Sequence, residues 1–203
     1  MSQASFRSQT LAAFIQNVGD KCPTPGGGAV ASAVGALAAA LGRMVVSYSI
    51  GKKNLEEHQP LLIAANARLE RAAAVMLELA DEDAAAYGAV NELSRLDASD
   101  PRRAELAAAQ QASVQVPLMV AAAAVDLLRL FEQLAGTTNR HLRSDLGIAA
   151  VLARATVEAS AWNVLINLGT LAEPAAGTTR STLQSLRETA ATLSAGVERL
   201  CAP

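Results

Sequence analysis

Aromatic side chains are scarce in this chain: three Phe, two Tyr and one Trp among 203 residues, or 3%. A core built mainly on ring packing is therefore excluded, and small aliphatic side chains must fill the interior. Cysteine is as sparse. Cys22 and Cys201 do not make a disulfide framework. With two histidines and no Cys/His cluster, neither a zinc site nor any other metal or cofactor is expected. An excess of basic charge is missing too, because 17 Lys and Arg face 19 Asp and Glu for a net charge of −2. No basic stripe is left to bind nucleic acid. Alternating β-branched runs are absent, which argues against a sheet. The N-terminus is polar and holds no apolar stretch of the kind that opens a secretory signal, so a cytoplasmic location is expected.

What the chain does have is 51% hydrophobic residues, much of it alanine, arranged with helical periodicity. These properties predict an all-α fold: one domain over residues 1–203, a bundle of about six helices. The first amphipathic helix is expected over 5–18, with Phe6, Leu11, Phe14 and Ile15 as its apolar set. Further helices are expected over 26–49, over 60–96 with Pro60 in the first turn, and from 101 to 135. Asp100 is the N-cap candidate before Pro101, and Pro117 should kink the helix that contains it. Ser144 reads as the N-cap of a helix reaching 168, and a last amphipathic helix ends near 200.

The densest signal is Pro23-Thr24-Pro25-Gly26-Gly27-Gly28, followed directly by an alanine-rich helix. The prolines stiffen the approach, and the glycines leave bare backbone at a helix start. Free N–H groups and the positive end of the helix dipole favour an anion there. A tight entry turn with close helix packing is the competing reading. Neither the P-loop nor the dinucleotide fingerprint matches the spacing. Gly28, Gly35 and Gly42 recur every seven residues and form one stripe on the helix, so another helix backbone or a flat ligand is expected close to it. Residues 22–42 carry no charge and are long enough to span a bilayer. Their content is mostly Ala and Gly, and a buried central helix rather than a membrane span is expected.

Four polar constellations could carry chemistry. Lys52 and Lys53 follow Gly51, and they either solvate a helix end, clamp an anionic substrate, or supply one lysine as an acid/base group. Asp81, Glu82 and Asp83 make an acidic run; Asp83 and Tyr87 are four apart and share a face. Asn139 precedes Ser144 and Asp145, where helix-start chemistry competes with a ligand role. Asn163 and Asn167 flank an apolar segment, and buried amides must find partners. Asp145 and Asn163 are 18 residues apart, on one helix face but about 27 Å apart along its axis. Either the two do different jobs, or a second subunit brings one beside the other's partners.

Taken in order, Pro23 to Gly28, Gly51 to Lys53, Asp83 with Tyr87, Val116-Pro117-Leu118, Asn139, Ser144-Asp145, and Asn163-Val164 with Asn167 closely resemble the cyclodeaminase/methenyltetrahydrofolate cyclohydrolase family. The resemblance covers nearly the whole chain and is weakest after Gly177. Ala29, Leu55, Tyr87 and Thr138 depart from the residues usual at their positions. The resemblance implies an all-helical, homodimeric enzyme that binds folate near the subunit interface, without metal, nucleic acid or membrane. It implies hydrolysis of 5,10-methenyltetrahydrofolate to 10-formyltetrahydrofolate, because these residues include no formiminotransferase domain. The alternative is cyclodeamination of 5-formiminotetrahydrofolate with release of ammonia. A non-catalytic folate-binding or helical interaction protein is the alternative from another class. The implied catalytic residues are Asp83, Lys52 and Asp145. Pro25, Gly26, Gly27, Gly28, Lys53, Tyr87, Asn139, Ser144, Asn163 and Asn167 are the implied substrate-binding residues.

Overall fold

The computed structural model describes residues 5–202. Six α-helices account for most of them, and no strand occurs among the described residues. They are α1 (Leu11–Gly19), α2 (Gly27–Ser47), α3 (Gln59–Ser94), α4 (Leu106–Leu134), α5 (Arg143–Asn167) and α6 (Ala175–Cys201). Short 3₁₀ turns lead into several of them. Helix α2 is central: it packs against α3 on one side and α5 on the other, while α4 bridges α3 and α5, and α6 closes over α4 and α5.

The glycine stripe explains how α2 can occupy the centre. A Cβ on Gly35 would stand 2.9 Å from Met76 Sδ of α3 and 3.1 Å from Thr156 Cγ2 of α5. A Cβ on Gly42 would overlap the ring of Phe131 from α4, the largest fully buried side chain of the core. At Gly28 the occupant is the carboxylate of Asp83. The close approach expected at this stripe is made by side chains from three helices rather than by a neighbouring helix backbone. Each glycine is a socket, and the roughly 1 kcal/mol that Gly costs a helix is offset by the side chain it admits.

Three regions differ from the expected boundaries. The first predicted helix is split. Ser5 caps a turn over Phe6–Ser8, Gln9 is extended, and Thr10 Oγ1 accepts from Ala13 N to start α1. Two capping residues five positions apart break the periodic run. No residue of α1 is buried, and Leu11 and Ile15 are 67% and 62% exposed. Ser144 is not an N-cap. Asn139 caps a turn over Arg140–Leu142 that runs straight into α5, whose own cap position is Leu142. Asp100 does cap, accepting from Arg102 N, but the turn it starts over Pro101–Glu105 is 3₁₀ before α4 begins. Pro117 lies inside α4, which continues on both sides of it.

Three helical stretches are long and apolar enough to cross a membrane by length and composition alone: Gly27–Ser47, Pro101–Leu134 and Arg140–Thr170, with mean hydropathies of 1.8, 1.7 and 1.2. In the bundle about half of each window is buried against the other helices.

Candidate active site

The residues singled out in the sequence gather at two opposite ends of the bundle. At the first end the chain enters α2 through Pro25, which is buried and preceded by a cis peptide bond. Gly26 is the N-cap of α2 and has no side chain to cap with. Its carbonyl accepts the first helical bond, from Val30 N at 3.1 Å, so the N–H groups ahead of Val30 have no intrahelical acceptor. The Asp83 carboxylate reaches this start from α3 and fills the space above Gly28. From α5, Asn163 Oδ1 faces Gly27, at 3.5 Å from where a Cβ would be. The Asn163 amide is oriented by its own Nδ2, which donates to Ala159 O at 3.3 Å.

Asp83 is partly buried and accepts no hydrogen bond from another described side chain. Burial raises its pKa above the ordinary carboxylate value. Its neighbour Asp81 has a different task. It accepts from Phe6 N at 2.8 Å and from Ser5 Oγ, and so ties the N-terminal segment to α3. Tyr87, one turn beyond Asp83, is about half exposed at the rim. Asn167 anchors rather than lines: its Nδ2 donates to Ser113 O of α4 and Asn163 O, each at 3.1 Å. A hollow of about 320 Å³ opens beside the turn, lined by Phe6, Gln9, Asn17, Asp20, Cys22, Thr24 and Pro25. Of these residues, Gln9, Asn17 and Asp20 did not stand out in the sequence. Only their proximity in sequence to the Pro-Gly run could have drawn attention to them.

The other end holds Lys52, Lys53, Asn139, Ser144 and Asp145. Lys52 and Lys53 are exposed after the C-terminus of α2. Gly51 turns the chain there with φ of 78°, a conformation that favours glycine. Asn139 is joined to this end by its backbone N–H, which donates to Ser49 Oγ at 2.9 Å. Asn139 Oδ1 accepts from His141 N. Asp145 lies in the first turn of α5, where its charge complements the dipole. The 21 residues of α2 separate the two ends by about 30 Å. One chain therefore brings Asp83, Asn163 and the glycine turn together, and leaves both lysines and Asp145 out of reach. Among the described residues no group of three His, Cys, Asp or Glu is placed to hold a metal.

The fold and this end of it define an all-α bundle with a half-buried carboxylate set into a glycine-made helix start. The chain belongs to the formiminotransferase-cyclodeaminase family, whose model matches residues 10–185. Formimidoyltransferase-cyclodeaminase of Gallus gallus is 32% identical over 166 residues, 79% of this chain and 31% of that protein. This chain thus spans about a third of the length of the vertebrate relatives that it matches. Methenyltetrahydrofolate cyclohydrolase of Methylorubrum extorquens is 29% identical over 165 residues, 79% of each chain. The crystal structure of formiminotetrahydrofolate cyclodeaminase from Thermotoga maritima superposes with a TM-score of 0.88 at 30% identity, covering 96% of both chains.

Proposed function

We propose that this protein is a folate one-carbon enzyme that hydrolyses 5,10-methenyltetrahydrofolate to 10-formyltetrahydrofolate. The observation that carries the reading is the Asp83 carboxylate beside the bare start of α2, with its pKa raised by burial. A carboxyl group moved toward neutrality can both take and return a proton. Water adds to the amidinium carbon as a C–O bond forms, and Asp83 accepts the proton that the water loses. The carbinol then opens: its O–H proton passes to solvent as the carbonyl forms, the bond from that carbon to N5 breaks, and Asp83 returns its proton to N5. A carboxylate next to the cationic ring also stabilises the charge of the bound substrate. Asn163 Oδ1 orients the attacking water or an N–H edge of the pterin, and Tyr87 flanks the ring. The N–H groups at the start of α2 take an anionic or carbonyl oxygen of the substrate.

Cyclodeamination is the second reading, favoured by the whole-chain match to the Thermotoga cyclodeaminase. There N10 closes on the formimino carbon, and the same acid–base group protonates departing ammonia. Absorbance decay of methenyltetrahydrofolate, run beside ammonia release from formiminotetrahydrofolate, separates the two. Decay without ammonia release supports hydrolysis, and the converse supports deamination. Neither activity, with folate still bound, would leave the non-catalytic reading.

The complete site is formed by a homodimer. Lys52, Lys53, Asn139 and Asp145 act on substrate held at the glycine turn of a second copy, the lysines taking its anionic tail. The support is the 30 Å separation of the two ends, together with an apolar surface next to Asn163. There Trp162 and Ile166 are 77% and 81% exposed, one helical turn apart on α5. The protein acts in the cytoplasm, its apolar helices packed on one another rather than in lipid, and it requires neither a metal nor a further cofactor.

A further inference from the structure

Ser32 of α2 and Ser160 of α5 are enclosed, with 0% and 1% of their surface exposed, and neither hydroxyl has a hydrogen-bond partner among the described residues. Serine and threonine inside a helix ordinarily turn back to the carbonyl one turn earlier. Thr156 does so at Leu152 O, 3.0 Å away, and Ser49 at Val45 O, 2.7 Å away. Ser32 and Ser160 do not, and a buried hydroxyl left unpaired is costly. Their positions coincide. Gly27 faces Asn163 and Gly35 faces Thr156, so α2 and α5 run antiparallel. Ser32 lies between the two glycines on α2, and Ser160 lies between Asn163 and Thr156 on α5. Both belong to the i, i+4, i+7 faces that meet, namely Gly28, Ser32 and Gly35 against Thr156, Ser160 and Asn163.

This level is the floor of the candidate site. The Asp83 carboxylate occupies the place a Cβ of Gly28 would take. Cβ positions four residues apart on a helix are about 5–6 Å from each other, and Cβ bonds lean toward the helix N-terminus. Ser32 Cβ therefore lies about 5–6 Å from the carboxylate, and Ser32 Oγ makes no hydrogen bond to it. That separation is about right for one bridging water. A buried water needs two to four polar partners. Two serine hydroxyls, the carboxylate and the amide oxygen of Asn163 supply them.

We propose that Ser32 and Ser160 are positioning residues: they hold an internal water that donates a hydrogen bond to the inner face of the Asp83 carboxylate and so sets its protonation. This deepens the functional reading above and rests on it only for the claim that Asp83 acts in turnover. Among the described residues no charged group competes for the role. The charged side chain of α2, Arg43, is about four turns from Gly28. On α5, Glu158 is paired with Arg187 of α6, and Arg154, Asp145 and Arg143 lie further down the helix. On α3, Asp81 is held by Ser5 and Phe6, Glu78 by Arg7, and Glu82 and Tyr87 face solvent. Asp20 and Lys21, on the connection into α2, are exposed, and Asp126, Arg129 and Glu132 of α4 lie near the Gly42 end.

The test reads Asp83 directly. The full-length protein is labelled with ¹³C at aspartate side-chain carboxyls, and the Asp83 resonance, assigned by its loss in Asp83→Asn, is titrated without substrate. Removing either hydroxyl releases the water that donates to the charged form. Ser32→Ala and Ser160→Ala should each raise the titration midpoint by about half a pH unit or more. The double variant should move it no further than the larger single change, because one water is shared. Ser113→Ala, which removes a hydroxyl bonded to Gln110 O, should leave the midpoint unmoved. An unmoved Asp83 midpoint in a folded Ser32→Ala or Ser160→Ala protein overturns the proposal, and if one variant does not fold the other decides alone. The resonance is read without turnover. A catalytically dispensable Asp83 would therefore refute the functional reading and leave this result standing.

Discussion

Two inactive chains should restore activity to one another. Asp83 and Lys52 lie at opposite ends of α2, and the 21 residues between Gly27 and Ser47 put about 30 Å between them. If each site draws Asp83 from one copy and Lys52 from the other, Asp83→Asn and Lys52→Met damage complementary halves. Each homodimer then has two defective sites. Asp83→Asn should lose two orders of magnitude or more in kcat, and Lys52→Met at least tenfold in kcat/KM. A heterodimer of the two has one site with both lesions and one site with neither. Co-expression with different affinity tags and sequential purification isolates that species. Its activity should be about half that of wild-type protein, measured by absorbance decay of methenyltetrahydrofolate under saturating substrate. If each site were confined to a single chain, every site in the heterodimer would carry one lesion and the mixture would stay inactive. That result, or a purified wild-type protein that remains monomeric at micromolar concentration, would refute the shared site.

Gly28→Ala places a Cβ on the Asp83 carboxylate, so folate binding should fall sharply with helical content kept. Gly27→Ala meets Asn163 Oδ1 at an ordinary 3.5 Å and should be far milder; equal effects on ligand affinity by calorimetry would count against the Asp83–Gly28 contact. Because burial raises the pKa of Asp83 above its unfolded value, its contribution favours folding at low pH and is lost as pH rises through the folded pKa. Asp83→Asn should therefore melt at or above the wild-type temperature near neutral pH, with the difference shrinking on acidification; a lower melting temperature at pH 7 would contradict the burial. Asn167→Ala removes one hydrogen bond that joins α5 to α4 and a second within α5, and should cost about 1–3 kcal/mol by urea denaturation, with a larger effect on stability than on KM. Asp145→Asn should cost well under 1 kcal/mol through the helix dipole; a tenfold loss of kcat/KM without loss of stability would place it at the substrate.

Helix content and order could be read from periodicity because alanine-rich amphipathic segments bounded by Gly, Pro and Asp leave few other folds. The ends of helices were harder. Thr10 and Asn139 act as caps, whereas Ser144 does not, and these residue types do not reveal which of several nearby candidates the chain uses. Gly28, Gly35 and Gly42 announced a close approach, but nothing local said that its partners are Asp83, Met76, Thr156 and Phe131, contributed by three other helices. Asp83 could be singled out only through its family resemblance and its spacing from Tyr87; an acidic run by itself does not show which member is drawn inward. Asn163 and Asn167 look equivalent in sequence, yet one faces Gly27 and the other ties α5 to α4. Ser32 and Ser160 gave no signal at all, since a serine in an alanine-rich helix looks like any other small residue.

The sockets on α2 also work as keys. Phe131 in the space over Gly42 fixes the angle at which α2 is turned about its own axis, and Met76 with Thr156 at Gly35 fixes it again one heptad earlier. The direction in which the glycine turn presents its N–H groups is thus determined about 20 Å away, by an aromatic ring that never touches the turn. Trimming that ring to leucine would loosen the rotational setting of α2 as well as the core. Its imprint on turnover would be a blurred orientation of the helix start rather than the loss of any reacting group.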